Sequence, residues 1–198
     1  AACLGTWEWD IARNAVVYSD NLGPMFGLPF GAYHPTYEAF LEAVHSDDRP
    51  RVAEAVRRAL EEGAAYTFDF RTICPDGTIR WIYDRGQVIR DGSGRPVRML
   101  GVAMDITERK LAEENLVRQQ IEQQVLLDLI TAMVWYKDLH NRIIRANWAA
   151  AVSINKSVAE VEGQSTYDFY PEEAEKYYQD DLEVIASHAY RVGAIARA

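Results

Sequence analysis

The sequence predicts an α+β fold, and three observations carry that expectation. Apolar and polar residues alternate in two short runs near the start, Thr6 to Ile11 and Ala15 to Tyr18. Three longer alternating runs, beginning at Tyr66, Thr78 and Pro96, follow one another across tight turns. Between the two groups lie short amphipathic stretches cut by Gly and Pro. Two strands, several short helices and three successive antiparallel strands make an α+β domain.

In the first run Trp7, Trp9 and Ile11 fall on one face, and Thr6, Glu8 and Asp10 on the other. That is the period of a half-buried strand. Arg13-Asn14 turns the chain into Ala15 to Tyr18, so the pair reads as a hairpin. Ser19, Asp20 and Asn21 offer an N-cap before residues 22–28, where Gly23, Pro24, Gly27 and Pro29 keep any helix short. Thr36 to Val44 is a short amphipathic helix. His45-Ser46-Asp47-Asp48 caps the next, which carries Val52, Val56 and Leu60 as a narrow apolar stripe and stops at Glu61-Glu62-Gly63.

Tyr66, Phe68 and Phe70 then alternate with Thr67, Asp69 and Arg71. Pro75-Asp76-Gly77 is a turn, since Pro presets φ and Gly supplies positive φ. Thr78 to Arg90 sets Ile79, Trp81 and Tyr83 on one face. Asp91-Gly92-Ser93-Gly94 turns again, and Pro96 to Ile106 is the last strand. It runs directly into a long polar stretch, Glu108 to about Ile130. Asp105 or Thr107 can cap that helix, and Glu108 suits its first turn electrostatically. One heptad frame places Ala112, Leu116, Leu126 and Ile130 at a and d, while Gln119 and Gln123 interrupt it. A dimeric coiled coil and a solvated spacer helix are both open readings.

A degenerate repeat follows. Val134-Trp135-Tyr136-Lys137-Asp138 echoes Thr6 to Asp10, His140-Asn141 echoes Arg13-Asn14, and Arg142 to Arg145 echoes the second strand. Asn147 stands where Asp20 does, and Tyr170-Pro171-Glu172-Glu173 echoes His45 to Asp48 ahead of a helix to about Ser187. Tyr190 to Ile195 is the one candidate for a third strand, so this copy reads as truncated. The chain opens without an initiator Met and reads as a piece cut from a longer protein.

The net charge is −9 over 198 residues. Phosphate binding needs clustered Lys and Arg, so a nucleic-acid surface is excluded. No apolar run approaches the roughly 18 residues of a spanning helix, so no membrane insertion is expected. Cys3 and Cys74 are not at metal spacing, which fits a reducing, cytoplasmic setting and no metal. Signatures of serine hydrolases, phosphate loops, zinc proteases and cyclases are missing, so no catalytic residue is assigned.

As a set, Gly5 to Asp10, His45 to Arg49, Pro75-Asp76-Gly77 before Arg80-Trp81, Gly92 to Pro96, and Gly101 through Lys110 resemble a PAS domain with its C-terminal PAC portion, over residues 4–110. Residues from about 131 resemble a second, softer copy through Asp138, Asn147, Gly163 and Tyr170 to Ala174. The resemblance implies a five-stranded antiparallel sheet in the order 2-1-5-4-3 with short helices on one face. It implies a PAS/PAC domain over 1–107, a connecting signalling helix over 108–130 and a truncated PAS domain over 131–198. It implies a sensory or dimerisation role in a sensor histidine kinase or diguanylate cyclase. In this family the joint after the last strand couples sheet changes to the exit helix; here that role maps to Asp105, Ile106 and Thr107. The partners it implies are a homodimer, through the domains or the linker helix, and an output domain in the same chain.

The resemblance also implies a cup that encloses a flavin, a haem, a small metabolite or nothing. The candidate pocket is Trp7, Trp9, Phe26, Val52, Val56, Phe68, Phe70, Trp81 and Tyr83. Strands favour aromatics for packing alone, so a filled core is the competing reading. The cofactor is left unassigned, with none as the leading expectation. A non-covalent flavin is the second reading, since no adduct-forming cysteine string occurs. Haem is disfavoured because the helix from Arg49 to Glu62 has no histidine. His45, His34 and His140 read as junction, loop and turn residues. Ser187-His188 is a weak match to a phosphoacceptor box.

Overall fold

The computed structural model describes residues 4–32 and 35–187. The chain divides into two compact units, one up to Asn115 and one from Leu116.

The first unit is built on five strands: β1 (Leu4–Asp10), β2 (Ala15–Tyr18), β3 (Tyr66–Ile73), β4 (Ile79–Arg90) and β5 (Pro96–Asp105). They form one antiparallel sheet in the order β2-β1-β5-β4-β3, as expected. The first hairpin closes through Asn14, at φ 48°. Between β2 and β3 the chain makes a 3-10 turn (Gly23–Phe26) and two helices, α1 (Tyr37–Ala43) and α2 (Arg49–Glu62). Thr36 caps α1 by accepting from the Ala39 N–H at 3.2 Å. Gly63, at φ 70°, ends α2. Leu22, Val44, Val52, Phe70 and Ile82 are fully buried and form the core between sheet and helices.

Two caps turn out otherwise. Ser19 and Asn21 do not cap the turn that follows. The Ser19 hydroxyl accepts from the Thr6 N–H at 2.9 Å and the Asn21 amide donates to the Leu4 carbonyl, so both hold β1 instead. Asp48 precedes α2 without capping it by its side chain. Its carboxylate takes the Arg71 backbone N–H at 2.8 Å and the guanidinium at 3.0 Å, which fastens the start of α2 to β3 and holds the Asp48 carboxyl below the usual range. A guanidinium and a backbone N–H together outweigh what a single helix-terminal N–H would offer the carboxylate.

The second unit begins within α3 (Thr107–Asp128), whose first turns belong to the first. It pairs β6 (Trp135–Lys137) with β7 (Ile143–Ala146) across a turn in which Asn141 has φ 61°, matching Asn14 in the first hairpin. Asp138 forms that turn by accepting the His140 and Arg142 N–H groups, each at 2.9 Å. The helices α4 (Trp148–Ser153), α5 (Val158–Val161) and α6 (Ala174–Ser187) follow. Ile143, Ala146, Ala150, Ala151 and Val161 form a separate buried core. Asn147 caps α4 from its buried position. The proposed third strand, His34 and His188 lie outside the described residues.

Candidate functional site

The inner face of the first sheet is set by register. Gly5, Trp7 and Trp9 on β1 oppose Ala103, Gly101 and Met99 on β5, and Ile82, Asp84 and Gly86 on β4 share that face. Trp7 lies flat against the sheet floor because two glycines make room for it. Gly86 and Gly101 are cross-strand partners, and a Cβ on either would stand within 3 Å of the Trp7 ring. Packed there, the indole N–H donates to Asp84 Oδ1 at 2.7 Å. The Tyr66 hydroxyl donates to Asp84 Oδ2 at 3.2 Å.

These groups line a small cavity closed by Tyr18, Phe26, Tyr37 and Phe40. Trp9 stacks on Tyr37 at 4.9 Å and Tyr18 on Phe26 at 5.6 Å. A water-sized body can move its centre through about 40 Å³ inside, which is room for roughly three waters. A site for a planar ring system needs several hundred, roughly 300 Å³ or more. A flavin therefore does not fit these walls: the ring space is taken by the protein's own aromatics.

At the joint between β5 and α3, Asp105 keeps the inner-face parity of Ile82 and Ala103, while Trp81 and Lys110 meet on the outer face. Asp105 Oδ1 accepts the Thr107 N–H at 2.9 Å, and the Thr107 hydroxyl accepts the Trp81 N–H at 2.9 Å. The Ile106 N–H donates to the Trp81 carbonyl at 2.9 Å, and the Ile106 side chain is buried. One turn later Lys110 pairs with Asp69 at 2.9 Å and places its ammonium 5.1 Å from the Trp81 ring centre. Arg80 approaches Asp105 at 3.6 Å. The base of α3 is thus tied to β4 and β3 as well as to its own strand.

A profile described as PAS fold matches residues 15–103, and one described as PAS domain matches residues 131–195. The solved structure of a sensory box histidine kinase/response regulator from Burkholderia thailandensis is 31% identical, with a TM-score of 0.53, over 61% of this chain and 90% of that one. This chain belongs to the PAS family. It carries two PAS domains in tandem, the first with a complete five-stranded PAS sheet. Curated relatives of this PAS chain include the sensor protein FixL of Bradyrhizobium diazoefficiens, 30% identical over 85% of this chain and 33% of FixL. The probable diguanylate cyclase DgcE of Escherichia coli is 26% identical over 74% of this chain and 13% of DgcE. The chain therefore spans a third or less of the length of these relatives.

Within the PAS cup, the structure brings Trp7, Trp9, Phe26 and Val56 together around the cavity. Val52 and Phe70 sit in the adjoining core, with Phe68 packed beside them. Trp81 and Tyr83 correct the expectation: they point to the opposite face of β4, because Ile82 and Asp84 take the inner positions. Trp81 meets Arg71 and Lys110 there and belongs to the joint. Sequence reasoning missed Tyr66 and Asp84. The signal for both was present in strand parity: Tyr66 precedes Phe68 by two, and Asp84 follows Ile82 by two. No helix among the described residues is long and apolar enough to cross a membrane, and none of their His, Cys, Asp and Glu side chains group as a metal site. His45 lies near Asp47 and not at the cavity.

Burial pushes the Asp84 carboxyl up to about 7, against the opposing pull of the Trp7 indole N–H, the Tyr66 hydroxyl and the Arg85 backbone N–H. A carboxyl raised in the folded state binds its proton more tightly there than in the unfolded chain. Its contribution is fully present below the unfolded value of 3.8 and is lost as pH rises through about 7. First-domain stability is expected to fall between pH 5 and 7, at a slope approaching about 1.4 kcal/mol per pH unit. Asp84→Asn flattens that slope. Urea titrations across this range check it, and a wild-type profile that rises toward pH 7 contradicts it.

Proposed function

We propose that this chain is a sensory input and relay segment that regulates an output domain further along the same protein, a histidine kinase or a diguanylate cyclase. The knot around Asp105, Ile106 and Thr107 carries the reading. Through Trp81 and Lys110 the base of α3 shares hydrogen bonds and charge with β4 and β3, so a change in the sheet reaches the helix without an intervening loop. A signal acts by favouring one of two packings at this joint, and only through its differential affinity for them. In this reading the first domain ends near residue 107, the helix over 108–130 connects, and the second PAS domain from about 131 relays. The relatives named as a sensor protein, a histidine kinase and a diguanylate cyclase support the class of output. A reducing, cytoplasmic setting goes with it, Cys74 being a buried free thiol.

The test is Asp105→Ala in the full-length protein. Removing the carboxylate frees the Thr107 N–H and its hydroxyl, which is expected to cost about 1 kcal/mol and to leave the fold intact. Stimulus-dependent output is expected to drop several-fold while basal output persists. Regulation equal to wild type counts against the relay.

A second reading, a ligand-free dimerisation module, draws on one observation. Leu111, Leu116, Val117, Ile121, Val125 and Leu126 are all more than half exposed along α3. Sedimentation of the 198-residue chain and of a variant with Ile121→Lys and Val125→Lys separates the two: a dimer lost in the variant, with Asp105→Ala leaving full-length regulation as in wild type, favours dimerisation alone.

A further inference from the structure

A carboxylate buried among aromatic rings is costly unless it is neutralised or meets a cation. Asp84 is 4% exposed, and its neighbours offer only neutral donors: the Trp7 indole, the Tyr66 hydroxyl and the Arg85 backbone N–H. No lysine, arginine or histidine among the described residues pairs with it. Arg71, Arg80 and Arg98 of the sheet and Lys110 of α3 pair on other carboxylates. What faces Asp84 across the cavity is aromatic: Tyr18 from β2, Tyr66 from β3, Tyr37 and Phe40 from α1, with Val56 from α2 and Met99 and Ala103 from β5. Ring faces with one buried negative charge attract a cation whose exterior is apolar, because such a cation loses little hydration on entry.

We infer that the first PAS cavity takes a compact organic monocation of the alkylammonium class, its N–H and charge on Asp84 and its methyl groups against Trp7 and the tyrosines. This rests on the reading of that domain as the sensory one. The space excludes bulkier cations and suits about four heavy atoms. Inorganic cations fit less well, since an apolar wall returns none of the water they shed. Burial holds the Tyr18 and Tyr66 hydroxyls neutral well above physiological pH, so Asp84 is the group at this cavity that titrates near neutrality.

The probe is trimethylammonium chloride, titrated into the 198-residue chain by calorimetry and by Trp fluorescence. 2-Propanol serves as a neutral analogue of like size, and sodium chloride controls for ionic strength. Trimethylammonium is expected to bind and 2-propanol to bind at least tenfold more weakly. Affinity is expected to weaken about tenfold per pH unit below 7, as a proton competes for Asp84. Asp84→Asn, checked for folding by circular dichroism, is expected to lose about a hundredfold. Absence of binding, equal binding of 2-propanol, or a pH-independent affinity overturns the proposal, and the last two need no variant. Loss of cation binding with Asp105→Ala still uncoupling the full-length protein removes the ligand class alone. Cation binding with Asp105→Ala regulated as wild type removes the relay alone.

Discussion

Asn147→Ala is expected to lose about 4 kcal/mol from the second PAS domain, most of the stability of a unit this size. The Asn147 side chain is fully buried, and every face of its amide is used. Its oxygen accepts the Val134 N–H at 2.9 Å and the Ala150 N–H at 3.0 Å. Its nitrogen donates toward the Leu127, Ile130 and Ala132 carbonyls at 3.2, 3.0 and 2.8 Å. Truncation takes this partner from the Val134 and Ala150 N–H groups and from the Ile130 and Ala132 carbonyls, at about 1 kcal/mol for each partly buried group. Asn147→Asp is expected to be as harmful, because a carboxylate cannot donate to the three carbonyls. The two domains need not unfold together, so amide exchange at Val134 and Ala150 is the readout. Protection unchanged within tenfold in either variant contradicts the assignment.

Gly101→Ala is expected to be the most damaging single-methyl change in the first domain, at about 2–4 kcal/mol. A Cβ at Gly101 would lie 2.2 Å from Trp7 Cζ2 and 2.6 Å from the Arg85 carbonyl oxygen. The carbonyl belongs to a paired strand and cannot retreat, so the indole must leave its slot and release Asp84. Gly92→Ala is the control: its Cβ meets nothing within 4 Å, and a change within about 0.5 kcal/mol is expected. Urea unfolding followed by Trp fluorescence compares them. Equal midpoints for the two variants would show that the slot is not tight.

The strands and both linking helices were legible because period-2 and period-3.6 patterns survive in Trp7-Trp9, Tyr66-Phe68-Phe70 and Val52-Val56. The position of the joint at Asp105-Ile106-Thr107 was legible from a strand running into a helix without a breaker. Less legible was which face of β4 turns inward. Trp81 and Tyr83 outweigh Asp84 in hydrophobicity, and the inner place of Asp84 depends on donors from Trp7 and Tyr66, which are distant in sequence. The slot under Trp7 was hidden too, since Gly86 and Gly101 meet only through register. Ser19, Asn21 and Asp48 carry the chemistry of caps but found long-range partners instead.

The reach of one amide redraws where the molecule can be cut. A clone starting at residue 131 would omit Leu127 and Ile130, whose carbonyls answer the Asn147 nitrogen. Such a piece would begin life with a hole at its own threshold, while one opening near Leu116 keeps the last turns of α3 as its lid.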